Sequence, residues 1–283
     1  MKDLKFRVEK ENDLVKFLSM KGLAKNKIKT YVKLGFIYLN NTKVTKLPIT
    51  IKEQDIIEIK KLSPLKTSFE ILYEDNNYLI VNKEAGLLTI STSKENKHTE
   101  LTLYKMVREY LNQKKEYAFI VNRIDKETSG IVVFVKNISL KEKLQNNWNQ
   151  LVKKRGYIAI VSGKITKSGR IENYLYEDKM TFSHSTKIGG KHAITNYKPI
   201  YNNNQYTMLD INIETGRKNQ IRVHMSEMNH PIIGDKKYKC IDNPLHRLGL
   251  HHYEITFQDP ISNEILKIIK KAPKEFYDLF SNH

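Results

Sequence analysis

Short apolar runs separated by polar or turn-forming residues dominate the chain after residue 69. Two helices are predicted at about 137–153 and 217–228, and the apolar runs have the length and β-branched content of strands. The predicted strands are Tyr78–Val81, Tyr117–Val121, Ile131–Val135, Tyr157–Val161, Thr207–Ile213 and His252–Phe257. Most connections between them are short, so the pattern predicts an α+β fold with a mixed, mostly antiparallel sheet rather than a regular βαβ repeat.

The first 60 residues show a different order, with two helical patterns followed by strands. One apolar face predicts a helix from Asp13 to Met20, and a second helix is expected to be capped by Asn26 and to end at Gly35. Asn40 and Asn41 then predict the turn of a hairpin. The strands expected here are Phe36–Leu39, Lys43–Thr45, Ile49–Ile51 and Ile56–Ile59. A small α/β module therefore precedes the larger domain.

Positive charge is concentrated in this first module. The whole chain carries 49 basic and 31 acidic residues, a net charge of +18. Residues 1–66 hold 16 basic and 7 acidic residues, half of the net charge in less than a quarter of the chain. Lys25, Lys29 and Lys33 follow one another at i+4 steps and form a basic ridge on the second helix. This distribution predicts RNA as a partner through phosphate neutralisation, while a lysine-rich surface that only maintains solubility is the alternative.

Other features narrow the class of protein. The single cysteine, Cys240, excludes a disulfide framework. There is no apolar run of 18 residues and no apolar stretch at the N-terminus, so we expect a cytoplasmic protein with no membrane partner. The nine histidines show no zinc-binding spacing, and we expect no metal. The predicted organisation is a basic RNA-binding domain at 1–62, a linker at 63–70 and a larger domain at 71–283.

The first module resembles the alpha-L RNA-binding motif, which is named after a small-subunit ribosomal protein. The resemblance covers residues 11–60 and depends on the two helical patterns, the segment Ile-Tyr-Leu-Asn-Asn at 37–41 and Asp-Ile-Ile at 55–57. It implies that Lys25, Lys29 and Lys33 bind RNA. A helical dimerisation module with solvated lysines is the alternative interpretation.

Three ordered blocks in the larger domain resemble the pseudouridine synthases, more narrowly their RluA-type branch. The first, Asn-Arg-Ile-Asp-Lys-Glu-Thr-Ser-Gly at 122–130, lies between two predicted strands. The second, Lys-Arg-Gly-Tyr-Ile-Ala-Ile-Val-Ser-Gly, occupies 154–163. The third is Thr-Gly-Arg-Lys-Asn-Gln-Ile-Arg-Val-His at 215–224, followed by His-Pro-Ile-Ile-Gly-Asp at 230–235. Three ordered matches of this length rarely coincide by chance.

The resemblance implies a uridine-to-pseudouridine isomerase that needs no cofactor. It assigns the nucleophilic carboxylate to Asp125, the ion-pair partner that lowers its pKa to Arg222, and the ring against the uracil to Tyr157. Arg123 is the candidate that contacts RNA where the target base was, and Arg217 and Lys218 are candidates for gripping phosphate at a helix start. From the residues alone, Asp125 is a turn-forming aspartate, Tyr157 a strand-edge aromatic, and each arginine a structural brace or a surface residue.

Three positions depart from the family pattern. Asn122 and Asn219 stand where the family has histidine, and Glu84 stands where it has proline. Asn122 leaves open a binding factor for ribosomes or tRNA that has lost activity. An aspartate-dependent nucleosidase that releases uracil is a separate alternative. The family branch favours large-subunit ribosomal RNA as the substrate, with tRNA as the second possibility. We expect a monomer.

Overall fold

The computed structural model describes residues 4–34, 36–59, 69–91, 101–178, 182–186 and 188–281. Packing divides the chain into two compact units; the first includes residues 4–59, and the second residues 69–90 and 101–281. Each unit has its own hydrophobic core. Most of the linker predicted at 63–70 lies outside the described residues, and Glu70 already belongs to the first strand of the second unit.

The first unit contains two helices and two small sheets. Its elements are β1 (Leu4–Arg7), β2 (Asn12–Asp13), α1 (Leu14–Met20), α2 (Lys25–Leu34), β3 (Ile37–Leu39), β4 (Thr42–Lys43), β5 (Thr50–Ile51) and β6 (Ile56–Ile59). The strand order is β1-β6-β3-β4, with β2 and β5 as a separate pair. The Asp13 carboxylate accepts a hydrogen bond of 3.0 Å from the backbone N–H of Lys16 and thereby caps α1.

The hairpin predicted in this unit is confirmed. Asn40 and Asn41 have φ angles of 47° and 65°, in the left-handed region that asparagine tolerates, and they join β3 to β4. The predicted start of the second helix is shifted, because α2 begins at Lys25 and Asn26 lies inside it. Gly35, which was expected to end this helix, lies outside the described residues.

The second unit is built on a large sheet. Its strands are β7 (Glu70–Glu74), β8 (Tyr78–Lys83), β9 (Phe119–Ile120), β10 (Ser129–Val135), β11 (Val152–Ser162), β12 (Gly169–Glu177), β13 (Ser183–Thr186), β14 (Lys191–Asn202), β15 (Tyr206–Ile213), β16 (Leu250–Gln258) and β17 (Ile265–Ile269). Its helices are α3 (Leu103–Gln113), α4 (Ile138–Asn146), α5 (Trp148–Leu151), α6 (Gln220–Glu227) and α7 (Lys274–Asp278).

The strand order β13-β12-β14-β15-β11-β16-β10-β8-β7 is mixed and mostly antiparallel, as predicted. β9 and β17 pair outside this path with β10 and β16. Within the described residues, the parallel pairing between named strands is that of β10 with β16. Gly130 allows the backbones of β10 and β16 to lie this close together. Its φ is +117°, and an added Cβ would lie 2.2 Å from the carbonyl oxygen of His252.

Several predicted boundaries in the second unit are wrong. The helix expected at 137–153 is two short helices that meet at Asn147, and β11 already begins at Val152. The helix expected at 217–228 begins at Gln220, so that Arg217 and Lys218 lie in the preceding turn. α3 and the β12–β14 region were not predicted. In β12 only Leu175 is buried, so its sequence gives little hydrophobic signal.

Candidate active site

The loop between β9 and β10 carries Asp125 and is fixed from behind by hydrogen bonds to its backbone. Lys83 Nζ donates to the carbonyl of Lys126 over 2.9 Å, and Thr89 Oγ1 donates to the carbonyl of Ile124 over 2.7 Å. Both neighbours of Asp125 along the chain are therefore bonded to the segment that follows β8. This arrangement limits the positions that the Asp125 carboxylate can take.

Lys83, which donates one of these hydrogen bonds, is buried and was not among the predicted site residues. Its side chain is inaccessible to solvent, and Nζ donates to the carbonyls of Glu84, Leu87 and Lys126 over 2.8, 2.6 and 2.9 Å. All three ammonium hydrogens are used. Burial lowers the pKa of Lys83 to about 7. The available sequence signal was a lysine at the end of β8, a strand that begins with four apolar residues.

Arg222 enters the site from α6, where it is nearly inaccessible to solvent, as its apolar neighbours predicted. Nε and Nη2 donate to the two carboxylate oxygens of Asp235, each over 2.7 Å. Nη1 donates to the side-chain oxygen of Asn219 over 2.9 Å. Burial alone lowers the pKa of Arg222, but the Asp235 carboxylate raises it above its ordinary value. The guanidinium is therefore charged and held in one orientation.

The Asp125 carboxylate is the second acidic group near Arg222. Its Oδ2 lies 3.5 Å from Arg222 Nη1, and 29% of its side chain is exposed. The expectation that positive charge gives Asp125 a low pKa is wrong. Burial raises the pKa of the Asp125 carboxyl above its usual range, although Arg222 and Lys237 oppose this effect. Burial therefore outweighs the attraction of Arg222, whose closest hydrogen bonds go to Asp235 rather than to Asp125.

Tyr157 lies in the middle of the sheet, on β11, and is buried. Its ring stacks on the imidazole of His252, with ring centres 4.5 Å apart and planes inclined by 19°. Burial raises the pKa of the Tyr157 phenol further above 10, and the charge of Asp125 contributes to this shift. The hydroxyl has no hydrogen-bond partner among the residues that the structure describes. The site therefore contains a neutral phenol whose hydroxyl is not engaged by these residues.

The side chain of Gln220 fixes the start of α6. Its Nε2 donates to the carbonyl of Ile194 and to Thr195 Oγ1 over 2.9 and 3.0 Å. Its Oε1 accepts hydrogen bonds from Thr215 Oγ1 and from the backbone N–H of Arg217. These contacts tie the helix to β14, and they explain how the third sequence block directs Arg222 inward.

The two asparagines that replace family histidines both serve local structure. Asn219 adopts a left-handed conformation with φ 54° at the cap of α6 and accepts the hydrogen bond from Arg222 Nη1. Asn122 Oδ1 accepts a hydrogen bond of 2.7 Å from the backbone N–H of Val133 and thereby binds the Asp125 loop to β10. Neither substitution removes a proposed catalytic group.

The residues predicted to bind RNA are placed in two groups. Arg123 is exposed, and no described residue forms a hydrogen bond or an ion pair with it. Arg217 Nε donates to the carbonyl of His192 over 2.8 Å, and Lys218 forms an ion pair with Glu177. In the first unit, the predicted RNA-binding residues all lie on α2: Lys25 and Lys29 have exposed side chains, and the side chain of Lys33 lies outside the described part of the structure.

The described residues contain no group of three or more His, Cys, Asp or Glu side chains placed to hold a metal ion. Within the same residues, no helix has the length and apolar character needed to cross a membrane.

These positions define what the site can do chemically. A partly exposed carboxylate faces a fixed, charged guanidinium, and a neutral phenol lies within electrostatic reach of that carboxylate. A carboxylate of this kind can act as a nucleophile towards a sugar carbon, and the guanidinium can stabilise its charged form. The phenol offers an apolar ring for a base and a hydroxyl for proton exchange.

Comparison with known proteins places the chain in a family. Residues 77–227 match the sequence profile of the RNA pseudouridylate synthases. The chain is 34% identical over 240 residues to the ribosomal large subunit pseudouridine synthase D of Borreliella burgdorferi, an alignment covering 81% of this chain and 73% of the relative. It is 33% identical over 238 residues to the protein of the same name from Neisseria meningitidis, covering 77% of this chain and 62% of that relative.

The fold is also similar to that of a solved structure. The human protein RNA pseudouridylate synthase domain containing 4 superposes with a TM-score of 0.58 at 21% identity, over 73% of this chain and 90% of the human one. The profile match includes both Asp125 and Arg222, and it covers more than half of the chain. The chain belongs to the RNA pseudouridine synthase family.

Proposed function

We propose that this protein converts uridine to pseudouridine in large-subunit ribosomal RNA. The relatives named above as ribosomal large subunit pseudouridine synthases support this substrate, and tRNA is the alternative. The observation that carries the assignment of the site is the distance of 3.5 Å between the Asp125 carboxylate and Arg222 Nη1, in a loop anchored on both sides of Asp125.

In the proposed reaction, Asp125 acts on the ribose of the target nucleotide. The bond between uracil N1 and the ribose breaks, the base turns, and a bond from carbon 5 to the same ribose carbon replaces it. The proton on carbon 5 is lost and N1 gains one, so no oxidant, reductant or hydrolytic water is consumed. Arg222 favours the ionised form of Asp125 and so opposes the effect of burial on its pKa. The Tyr157 ring lies against the uracil, and its neutral hydroxyl exchanges a proton.

RNA binding completes the proposal. A uridine in folded RNA must leave its stack before the site can reach it, at a cost of a few kcal/mol. Arg123, which is exposed two residues before Asp125, is the proposed contact with RNA at the vacated position. Arg217 and Lys218 precede α6 and are the proposed phosphate contacts. Lys218 must break its ion pair with Glu177 before it can bind a phosphate.

The first unit is the proposed alpha-L-type RNA-binding domain, ending near residue 62, before a linker and a catalytic domain from about residue 71. Lys25 and Lys29 are exposed on α2, four residues apart on one face, and a second face of the helix packs Ile28 and Val32 into the core. This separation of charge from core leaves the basic ridge available for phosphate groups. We further propose that the protein acts in the cytoplasm as a monomer.

Pseudouridine mapping in cells tests this function. Ribosomal RNA and tRNA from cells lacking the gene should have lost one or more pseudouridines, which the intact gene restores and an Asp125→Ala gene does not. Restoration by the Asp125→Ala gene would refute the catalytic assignment, and restoration confined to tRNA would identify the alternative substrate. Chromatography of reaction products would reveal free uracil if the protein were a nucleosidase. Unchanged RNA in the deletion cells would favour a binding factor without activity.

A further inference from the structure

A second feature of the catalytic unit is an open pocket of about 440 Å³ whose lining is strongly basic. It is formed by the end of β8, the start of β10, the approach to β16 and the segment that leads into α7. Its charged lining residues are five cations and one carboxylate: Lys83, Arg247, Lys270, Lys271, Lys274 and Glu84. We call this the basic pocket. None of its lining residues belongs to the group of Asp125, Arg222 and Tyr157.

Arg247 is the best-ordered cation of the basic pocket. Nη2 donates to Ser129 Oγ over 2.5 Å, and Nε donates to the carbonyl of Leu248 over 3.3 Å. The guanidinium also packs over the Phe276 ring, 5.3 Å from its centre. These contacts hold the planar group in one orientation. A guanidinium fixed in this way is suited to paired hydrogen bonds with a tetrahedral oxyanion.

The positive charge of Arg247 is poorly compensated. Its nearest carboxylate is Glu275, which is half exposed and 3.9 Å from Nη1, beyond hydrogen-bonding distance. Within the described residues, Nη1 has no hydrogen-bond acceptor. Its two hydrogens are therefore available to a ligand, while four-fifths of the side chain is shielded from water. Partly buried charge without a partner is costly, and an anion in the pocket would remove that cost.

The other cations add to the same field. Lys271 and Lys274 are exposed; Lys271 has no ion pair in the described structure, and the nearest carboxylate to Lys274 Nζ is that of Asp278, 3.9 Å away. Lys270 is already paired with Glu70 over 2.6 Å, and Lys83 uses all its donors on backbone carbonyls. Neither of the last two is therefore a free donor for a ligand, and Lys83, with a pKa of about 7, is only partly charged at neutral pH. A concave site in which cations outnumber carboxylates concentrates anionic ligands.

We propose that the basic pocket binds a phosphate group through Nη1 of Arg247 and the ammonium groups of Lys271 and Lys274. Two sources supply this chemistry, a phosphodiester of the bound RNA and free inorganic phosphate. The first of these rests on the proposed function, whereas the second does not. Because Lys83 lines the pocket and also donates a hydrogen bond to the Asp125 loop, the bound phosphate lies near that loop.

Calorimetric titration of the full chain with inorganic phosphate, in chloride buffer, tests the site. The unaltered protein should bind, and Lys271→Gln/Lys274→Gln should weaken binding at least about tenfold because two charged donors are lost. Arg247→Gln should weaken it as much, with Arg247→Lys in between. Lys164→Gln/Lys167→Gln is the matched control, since both residues are exposed and outside the pocket, and it should bind as the parent does.

The result that would overturn the proposal is equal phosphate binding by the parent and the Lys271→Gln/Lys274→Gln protein, or no binding by the parent. Both lysines are exposed, so this variant does not depend on the fold tolerating a change at Arg247. Asp125→Ala should bind phosphate normally. An inactive parent that still binds phosphate would refute only the proposed function.

A large-subunit ribosomal RNA transcript separates the two sources. If the pocket takes a phosphodiester, inorganic phosphate should raise the Kd for this transcript in the parent and not in Lys271→Gln/Lys274→Gln. If it takes free phosphate, the two proteins should bind the transcript equally and phosphate should leave the Kd unchanged.

Discussion

Asp235 accepts two hydrogen bonds of 2.7 Å from the guanidinium of Arg222, one from Nε and one from Nη2. The Asp235 carboxylate is fully buried, and its Oδ1 also accepts hydrogen bonds from the backbone N–H groups of Lys237 and Tyr238. Asp235 is therefore the fixed member of the pair, and it orients the third nitrogen of Arg222 towards Asp125. The proposed catalytic pair depends on this second carboxylate.

Replacing Asp235 by Asn should destabilise the catalytic unit and reduce activity together. A buried guanidinium that loses its bidentate partner costs about 3 kcal/mol, and Arg222 would no longer be held towards Asp125. Thermal unfolding and a pseudouridine assay measure the two effects. Asp242→Asn makes the same chemical change at an exposed position in the same region, and it should alter neither. Full activity of Asp235→Asn would show that Arg222 is positioned by other contacts.

The Asp125→Asn protein should gain stability over the parent as pH rises. Because burial raises the folded-state pKa of Asp125, the folded protein holds this proton more tightly than the unfolded chain does. At a pH below the unfolded pKa, both states are protonated and the residue contributes nothing. Between the unfolded pKa and the raised folded pKa, ionisation of the unfolded chain increasingly disfavours folding, and above the folded pKa this penalty is constant. Asn escapes the penalty.

The measurement is the Tm of both proteins between about pH 4 and pH 8, a range that begins near the usual aspartate pKa and extends upwards from it. The difference in favour of Asp125→Asn should grow with pH and then level off. A difference that shrinks or reverses would contradict the raised pKa. The same shift predicts that activity of the parent falls on the acid side at a higher pH than an ordinary aspartate would give.

Tyr157→Phe should separate the two roles proposed for this side chain. The variant keeps the ring that stacks on His252 and removes a hydroxyl without a partner among the described residues, so Tm should be unchanged. If the hydroxyl exchanges a proton in the reaction, kcat should fall about a hundredfold or more, with little change in RNA affinity. Tyr117→Phe, at a largely exposed tyrosine, is the control. A kcat equal to that of the parent would leave Tyr157 only as a stacking surface.

If the basic ridge of α2 binds RNA, the affinity for RNA should depend on salt concentration through its lysines. Replacing Lys25, Lys29 and Lys33 by Gln should weaken RNA binding and reduce the slope of log Kd against log salt by about 2 to 3, roughly one for each lost phosphate contact. The turnover of RNA at saturation should not change. Lys10→Gln and Lys46→Gln, exposed positions away from α2, should have smaller effects. An unchanged slope in the triple variant would favour the dimerisation interpretation of this unit.

Much of the fold follows from local pattern. The strands β8, β10, β11, β15 and β16 contain the longest apolar runs, and sequence analysis predicted each of them within a few residues. The hairpin at Asn40 and Asn41 was predictable because its turn needs residues that tolerate positive φ. β12 was missed because its inward face carries Gly169 and Asn173 beside Ile171 and Leu175, which leaves only a weak hydrophobic alternation in the sequence. The strand is held by pairing with β13 and β14.

The sequence by itself determined the family, the α+β sheet and the candidate trio of Asp125, Tyr157 and Arg222, because short blocks of fixed spacing encode them. Only the tertiary structure decided that Asp235 is the main partner of Arg222 and that the pKa of Asp125 is raised. The physical reason is that a guanidinium selects its partner by distance and angle among residues remote in sequence. A pKa, likewise, sums the desolvation and charge of every group that the fold packs around the carboxylate.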